Sequence, residues 1–287
     1  MSPLVITSIS DLRTAVRRIR SEGRSLGLVP TMGALHAGHL SLVQQSNERC
    51  DATIVTIFVN PTQFGPNEDF DKYPRTMAAD LESLSALHVD IVFAPSNEDL
   101  YPPNFSTYVE TSRVAESLEG ACRPGHFRGV TTIVMKLFQL ATADFAFFGQ
   151  KDYQQVAVIQ AMVRDFNVPV EVVVCPIIRE EGGLALSSRN RYLTATEREQ
   201  SLAISRSLRM AERLVRSGER DANVVQRAMR EEFDTAGIDR IEYIVIADGE
   251  TLLAVEQIDE SSVALVAVYV GATRLIDNCL LGRAIVD

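Results

Sequence analysis

Positive charge is scarce in this chain of 287 residues: 28 Lys and Arg stand against 38 Asp and Glu, a formal net charge of −10. No basic run is longer than Arg17-Arg18 outside one helical face. That argues against a nucleic-acid partner, since binding a phosphate backbone needs clustered cations. A small anionic ligand stays open, because a few local donors overcome a distant unfavourable field. Cysteine is sparse as well: Cys50, Cys122, Cys175 and Cys279 lie far apart, with neither a C-x-x-C pair nor a zinc-like Cys/His spacing. They are expected as buried free thiols. No segment approaches the ~18 consecutive apolar residues of a membrane span, and Met1-Ser2-Pro3-Leu4-Val5-Ile6 has no basic region ahead of a long apolar stretch. The expectation is a soluble protein of the reducing cytoplasm, with no membrane partner. Internal repeats and low-complexity tracts are missing. So are G-x-x-x-x-G-K-[ST], G-x-S-x-G and, across Gly27 to Gly38, G-x-G-x-x-G. These absences exclude an ordinary P-loop kinase, an esterase-type elbow and a dinucleotide fingerprint.

What is present is enough apolar residue, 46% of the chain, to build one large core or two of ordinary size. Ser8-Ile9-Ser10-Asp11 reads as a helix cap, followed by Leu12, Val16 and Ile19 at helical spacing, with Arg13, Arg17, Arg18 and Arg20 on a solvated face. Strand-length apolar runs follow at Leu26–Val29, Ala52–Val59, Asp90–Ala94, Phe145–Phe148 and Val170–Val174, with helical patterns between them such as Met77, Leu81, Leu84 and Leu87, or Ile133, Leu137 and Leu140. Continuously apolar strands alternating with helices predict a doubly wound α/β domain with a parallel sheet covered on both faces. After about Pro176 the pattern changes: two long helices, about 194–217 and 221–236, precede strands Ile241–Ala247 and Ser262–Val270. The expected division is an α/β domain over residues 1–180 and a smaller α+β domain over 181–287.

The segment Pro30-Thr31-Met32-Gly33-Ala34-Leu35-His36-Ala37-Gly38-His39 places two of the four histidines in an H-x-G-H pattern directly after an apolar strand. A helix starting there would offer unpaired backbone N–H groups and the positive end of its dipole to an anion. Imidazoles beside a triphosphate add donors that can carry charge near neutral pH, suited to nucleotidyl transfer. The plainer alternative is a pair of packing histidines around a turn.

Two more polar clusters follow strands, Asn60-Pro61-Thr62-Gln63-Phe64-Gly65 and Gly149-Gln150-Lys151-Asp152. In a parallel sheet all three fall at the carboxyl edge, where open α/β sheets bind ligands. Lys151 is a point charge able to follow a departing phosphoryl group, and Gly149 admits close backbone approach. A fourth cluster, Leu186-Ser187-Ser188-Arg189-Asn190-Arg191, offers hydroxyls and a guanidinium fork for phosphate oxygens. Asn60 and Gln63 are neutral hydrogen bonders suited to an organic substrate, and Gln155 is placed to face Gln63. The segment Pro66–Pro74 reads as a surface loop, with a lid or magnesium-associated carboxylates (Glu68, Asp69, Asp71) as the second reading. His126 is assigned to the pocket rim or a subunit contact.

These residues, together with Tyr73-Pro74-Arg75-Thr76 and Arg123-Pro124-Gly125-His126-Phe127-Arg128-Gly129-Val130, resemble the pantoate–β-alanine ligase family of the H-x-G-H nucleotidylyltransferase superfamily over essentially the whole chain. The resemblance implies a Rossmann-like ATP- and pantoate-binding domain, a C-terminal lid domain, a homodimer, and a reaction through pantoyl adenylate that releases pyrophosphate and AMP. It implies His39 as the acid, and His36, Lys151, Ser187, Ser188 and Arg189 on the triphosphate. Residues 32–39 (Met32, Gly33, Ala34, Leu35, His36, Ala37, Gly38, His39) with Gly149, Gln150, Lys151, Asp152, Ile178 and Leu186 would contact ATP, and Met32, Gln63 and Gln155 would hold pantoate with Asn60 nearby. Magnesium would arrive on the phosphate oxygens, largely without a protein cage, so no metal ligand is assigned. Ala37 and Gln150, where many relatives are acidic, and Arg191, where a glycine is common, depart from the pattern. Competing readings are a nucleotidylyltransferase acting on a phosphorylated acceptor, which predicts a basic acceptor pocket, and a nucleotide sensor without turnover.

Overall fold

The computed structural model describes residues 2–66, 68 and 70–282. In chain order the elements are β1 (Leu4–Ile6), α1 (Ile9–Ser21), β2 (Leu26–Thr31), α2 (Ala37–Arg49), β3 (Ala52–Ile57), α3 (Met77–Ser85), β4 (Ile91–Phe93), single-turn α4 (Asn97–Leu100) and α5 (Glu119–Cys122), α6 (His126–Ala141), β5 (Phe145–Gly149), α7 (Tyr153–Asp165), β6 (Glu171–Cys175), α8 (Ala195–Arg216), α9 (Ala222–Thr235), β7 (Ile241–Asp248), β8 (Ser262–Val270) and β9 (Thr273–Leu280). They fall into two compact units, Met1–Gly149 with Val158–Pro176, and Gln150–Ala157 with Ile177–Asp287. The last five residues of the 181–287 expectation lie outside the described residues.

The first unit is the expected α/β layer structure. Its six strands are all parallel, in the order β1-β4-β3-β2-β5-β6. The chain moves outward from β2 through β3 to β4, then returns to β5 on the other side of β2. The direction therefore reverses between β2 and β5, the switch point at which the carboxyl ends of strands diverge and leave a crevice. β3 and β4 are buried at every position, and β2 at all but Pro30, which only strands covered on both faces achieve. Val29, Val55, Val92 and Phe147 from the sheet share one core cluster with Leu42 and Val43 of α2 and Leu84 of α3. Gly27 lets α2 come close: a Cβ there would sit 2.1 Å from Ser46 Oγ and 3.0 Å from Cys50 Sγ.

Ser8 caps α1 by accepting from the Asp11 N–H at 3.1 Å, and Leu12, Val16 and Ile19 are buried as their spacing predicts. Arg20 departs from the expected solvated face. Its guanidinium reaches Asp144 at 2.6 Å, tying the end of α1 to the entry of β5.

In the second unit β7, β8 and β9 form an antiparallel sheet. Leu208 and Ala211 of α8, Met229 and Phe233 of α9, and Ile246, Val266 and Val268 of the sheet make its core. Strand β9 escaped the sequence reading because Asp277 and Asn278 interrupt its apolar run, yet both are buried. β1 escaped because it is three residues long.

The expectation of four buried thiols needs correcting. Cys175 and Cys279 are buried, but Cys50 is half-buried and Cys122 exposed. Cys122 ends the single-turn α5, which has no second turn to pack it. Burial pushes the Cys50 and Cys175 thiols up to about 11, so neither is a nucleophile at neutral pH.

Candidate active site

The H-x-G-H segment leaves β2 through a turn that two left-handed residues make possible, Gly33 at φ 80° and Ala34 at φ 51°. Glycine adopts that region freely and alanine does not, so something must hold Ala34 there. The holder is Asp80 on α3, only 3% exposed. Its carboxylate accepts from the N–H groups of Ala34 at 3.1 Å and Leu35 at 2.8 Å, and from Thr76 Oγ1 at 3.2 Å. The sequence reading did not assign Asp80. The signal was present: an acid one turn before Leu84 lies on the buried face of the helix.

His36 is the N-cap of α2, and its Nδ1 accepts from the Gly38 N–H at 3.2 Å. His39 closes a capping box by accepting from the His36 N–H at 3.4 Å, again through Nδ1. Each cap needs a bare Nδ1, so this hydrogen-bond network assigns the ring hydrogen to Nε2 in both histidines. The rings lie 4.1 Å apart between centroids. The arrangement presents neutral Nε2–H donors with the caps intact; a doubly protonated ring would surrender its cap.

The second cluster converges on the first. Asn60, 1% exposed, caps the short turn Pro61–Gln63. Its Oδ1 accepts from Thr62 Oγ1 at 2.9 Å and Tyr101 Oη at 2.8 Å, while Nδ2 donates to Gln63 Oε1 at 3.0 Å and to the Gly129 carbonyl at 3.1 Å. Asn60 thus orients Gln63. The Gln63 amide nitrogen points at Met32 Sδ, 3.3 Å away, a weak acceptor that a ligand oxygen would displace. A Cβ at Gly129 would lie 2.3 Å from the Thr62 carbonyl oxygen, so α6 packs directly on this turn. Beside it Met32, Gly33, Phe58, Thr76 and Asp80 help line a cavity of about 230 Å³. This is smaller than a typical drug-sized site and suits a small organic acid.

His126 lies behind Gln63, and it is buried rather than on a rim. Its Nδ1 sits 2.9 Å from the Gln63 carbonyl and its Nε2 3.0 Å from Arg123 Nη1. That pairing requires the neutral ring with Nδ1–H donating. Burial, with the Arg123 charge beside it, pushes His126 down to about 4. Arg123 in turn holds Glu68 through two bonds of 2.7 Å. Burial opposes the Glu68 charge, but Arg123 outweighs it and keeps the carboxylate below its usual range. Glu68 is therefore engaged in an ion pair, Asp71 is exposed, and Asp69 lies outside the described residues.

The pH consequence has a definite sign. An unfolded His126 takes up a proton near 6.5, whereas the folded ring refuses it until about 4. Stability is complete above pH 6.5 and falls by ~3 kcal/mol as pH drops to 4. Urea unfolding across that range reads the slope, and His126→Gln flattens it; an unchanged slope in the variant refutes the assignment.

In the second unit Gln150–Asp152 form a short 3-10 turn, and Lys151 Nζ lies 3.6 Å from Asp152 Oδ1. Ile178 and Leu186 are joined by a 2.9 Å backbone bond, which closes a hairpin ahead of the Ser187 cluster. Ser187 caps the following turn by accepting from the Arg189 N–H at 3.3 Å. Asn190 is buried and donates to Glu180 at 2.8 Å and the Ala185 carbonyl at 3.0 Å, whereas Arg191 is exposed. Gln154 is buried and Gln155 half-buried at the start of α7.

A histidine-capped helix at the switch point of a doubly wound sheet, beside a small cavity that Arg75 and Asp80 help line, defines an α/β protein of the H-x-G-H nucleotidyl-transferring class. The comparisons narrow that class. The chain belongs to the pantoate–β-alanine ligase family, whose sequence profile matches residues 4–280. It is 50% identical over 277 residues to a pantothenate synthetase of Moorella thermoacetica, covering 96% of this chain and 98% of that one. The crystal structure of pantothenate synthetase from Thermus thermophilus superposes with a TM-score of 0.93 at 40% identity, covering 98% of this chain and 100% of that one. A pantoate–β-alanine ligase from Francisella tularensis, solved with β,γ-ATP and β-alanine, has a TM-score of 0.81 at 34% identity and covers 98% of this chain and 99% of its own.

Proposed function

We propose that the chain condenses (R)-pantoate with β-alanine at the expense of ATP, through enzyme-bound pantoyl adenylate, giving pantothenate, AMP and pyrophosphate. The observation that carries this reading is the placement of the His36 and His39 donors beside the uncharged Met32–Gln63 pair, in a chain of this family.

In the first step a pantoate carboxylate oxygen attacks the α-phosphorus, and the bond to the β-phosphate bridging oxygen breaks. The carboxylate is already ionised at neutral pH, so this step needs alignment and leaving-group donors more than a base. His39 Nε2–H is assigned as the donor to the departing pyrophosphate, with His36, Lys151, Ser187, Ser188 and Arg189 on the triphosphate. The backbone of Gly33 to Gly38, Gly149 to Asp152, Ile178 and Leu186 is assigned to the nucleotide, and the Met32 N–H, Gln63 and Gln155 to pantoate. In the second step the neutral β-alanine amine attacks the acyl carbon, the carbon–oxygen bond to AMP breaks with its electron pair leaving on the AMP phosphate, and the proton shed by the nitrogen passes to water.

Among the described residues no three His, Cys, Asp or Glu side chains converge as a ligand set. On the family resemblance, magnesium would enter with the ATP substrate and would supply charge neutralisation to its phosphates. A homodimer and a cytosolic location belong to the same proposal and rest on the family resemblance. No helix among the described residues is long and apolar enough to cross a membrane.

The test is pyrophosphate release from ATP and magnesium with pantoate, with and without β-alanine, following AMP and pantothenate together. Pantoate-dependent release, with product formed on adding β-alanine, is the expected result. Release with another acid or a phosphorylated acceptor, but not with pantoate, overturns the substrate and keeps the site.

A further inference from the structure

We propose that Asp277 and Asn278, neighbours on β9, are positioning residues for the nucleotide side of the site. Asn278 sets the turn that carries Lys151, and Asp277 sets Arg179, from which the hairpin leading to Ser187, Ser188 and Arg189 is hung. The inference rests on the nucleotide-binding roles assigned to those residues above.

Asn278 is 1% exposed, and every hydrogen-bonding group of its amide that faces the turn is used. Nδ2 donates to the Gln150 carbonyl at 3.0 Å and to the Lys151 carbonyl at 2.9 Å, and Oδ1 accepts from Gln150 Nε2 at 3.2 Å. The two carbonyls belong to the peptide planes on either side of the Lys151 Cα. Holding both planes fixes φ and ψ at Lys151, and so the direction in which its side chain leaves the backbone. No contact to the ammonium itself is needed.

Asp277 is 2% exposed and takes Arg179 in a two-pronged ion pair at 2.6 and 3.1 Å. Burial disfavours the guanidinium charge, yet Asp277 more than compensates, and the Arg179 pKa is raised. The Arg179 side chain also donates to the Gly183 carbonyl at 3.0 Å, and its backbone is bridged to Ala185, so one residue ties the two arms of the hairpin. Successive residues of a strand face opposite ways. One two-residue step of β9 therefore reaches two clusters that lie far apart in sequence. A strand needed only for its core would carry apolar side chains at these positions, since burying an ion pair and an amide costs desolvation without adding apolar contact.

The test uses the full-length protein and ATP with magnesium as the probe. Asn278→Asp keeps the shape and the acceptor but removes both donated bonds; Asn278→Ala removes the group. Titration calorimetry without pantoate reads ATP affinity, and steady-state kinetics read KM for ATP and for pantoate. Displacement of a binding group by a fraction of an ångström to 1 Å costs up to about 10²-fold, so a 10- to 100-fold loss in kcat/KM for ATP is expected, with KM for pantoate little changed. The deciding readout is coupling. In a Lys151→Ala background Asn278→Asp should cost less than about 3-fold, because the group it positions is gone. Asp277→Asn should couple in the same way to Arg189→Ala and not to Lys151→Ala.

Equal losses in both backgrounds, or a rise in KM for pantoate matching that for ATP, would refute the inference and leave a purely structural strand. Should Asn278→Ala fail to fold, the near-isosteric Asn278→Asp carries the comparison. The two readings also separate cleanly. A wild-type protein that binds ATP without pantoate-dependent pyrophosphate release sinks the reaction but leaves the positioning role readable. Unchanged ATP binding in the Asn278 variants of an active enzyme sinks the positioning role alone.

Discussion

His39→Ala lowers the single-turnover rate of pyrophosphate release by about 10²- to 10³-fold, the usual cost of removing one donor to charge that develops in a transition state. The fold survives the change. The cap that His39 gives α2 is a long contact of 3.4 Å, the weaker half of the capping box, and His36 Nδ1 still caps Gly38. Alanine is also a better helix former than histidine, which offsets part of the lost cap. Circular dichroism and thermal unfolding should therefore match wild type to within about 1 kcal/mol, while adenylate formation collapses. Normal single-turnover kinetics in this variant would remove His39 from the chemistry. Loss of rate together with loss of fold would move it from donor to cap.

Asp80→Ala strikes the same turn from behind and does both kinds of damage. Two N–H groups lose their acceptor, buried on Ala34 and half-buried on Leu35. Each unsatisfied buried donor costs about 1–3 kcal/mol, so the variant should lose roughly 2–5 kcal/mol of stability to urea. Nothing then compensates Ala34 for its left-handed backbone, and the turn relaxes. His36 and His39 move with it, and displacements on that scale cost up to about 10²-fold in rate. Asp80→Asn keeps one acceptor oxygen and should fall between wild type and alanine on both axes. A variant as stable and as fast as wild type would mean that the turn holds itself.

Asp80 illustrates where reading a sequence stops. The helical spacing of Met77, Leu81, Leu84 and Leu87 predicted α3, because periodicity depends only on neighbours a turn apart; the helix ends at Ser85, before Leu87, with Leu84 buried, Leu81 half-buried and Met77 exposed. The partners of Asp80 lie on the far side of β3, at Ala34 and Leu35, and no local pattern encodes them. β9 failed for the related reason that a buried Asp-Asn pair looks like a loop until Arg179 and the Gln150–Lys151 turn are brought to it. From the sequence His126 is placed at the pocket rim or a subunit contact, because its burying partners are not legible there. Arg123 and the Gln63 carbonyl bury it instead.

Taken by itself, the sequence determined the class of fold and the chemistry on offer. Continuous apolar runs separated by helical patterns allow little but a covered parallel sheet, and clusters placed directly after strands must emerge at its carboxyl edge. The residue types at those edges are histidines and lysine in some and neutral amides in others, which is the ground for proposing a phosphate side and an organic-acid side. Tertiary structure decided which strands are neighbours, and so put the H-x-G-H helix at the β2/β5 switch point with Gln63 against Met32. It also decided the state of the groups: His126 against the Gln63 carbonyl, Glu68 engaged by Arg123, and the Gln150–Lys151 turn held by Asn278. Strand order and these side-chain pairings depend on contacts between residues tens to more than a hundred positions apart, and such contacts exist only once the chain has closed on itself, whereas the His36 and His39 tautomers are set locally, two and three residues away inside the cap of α2.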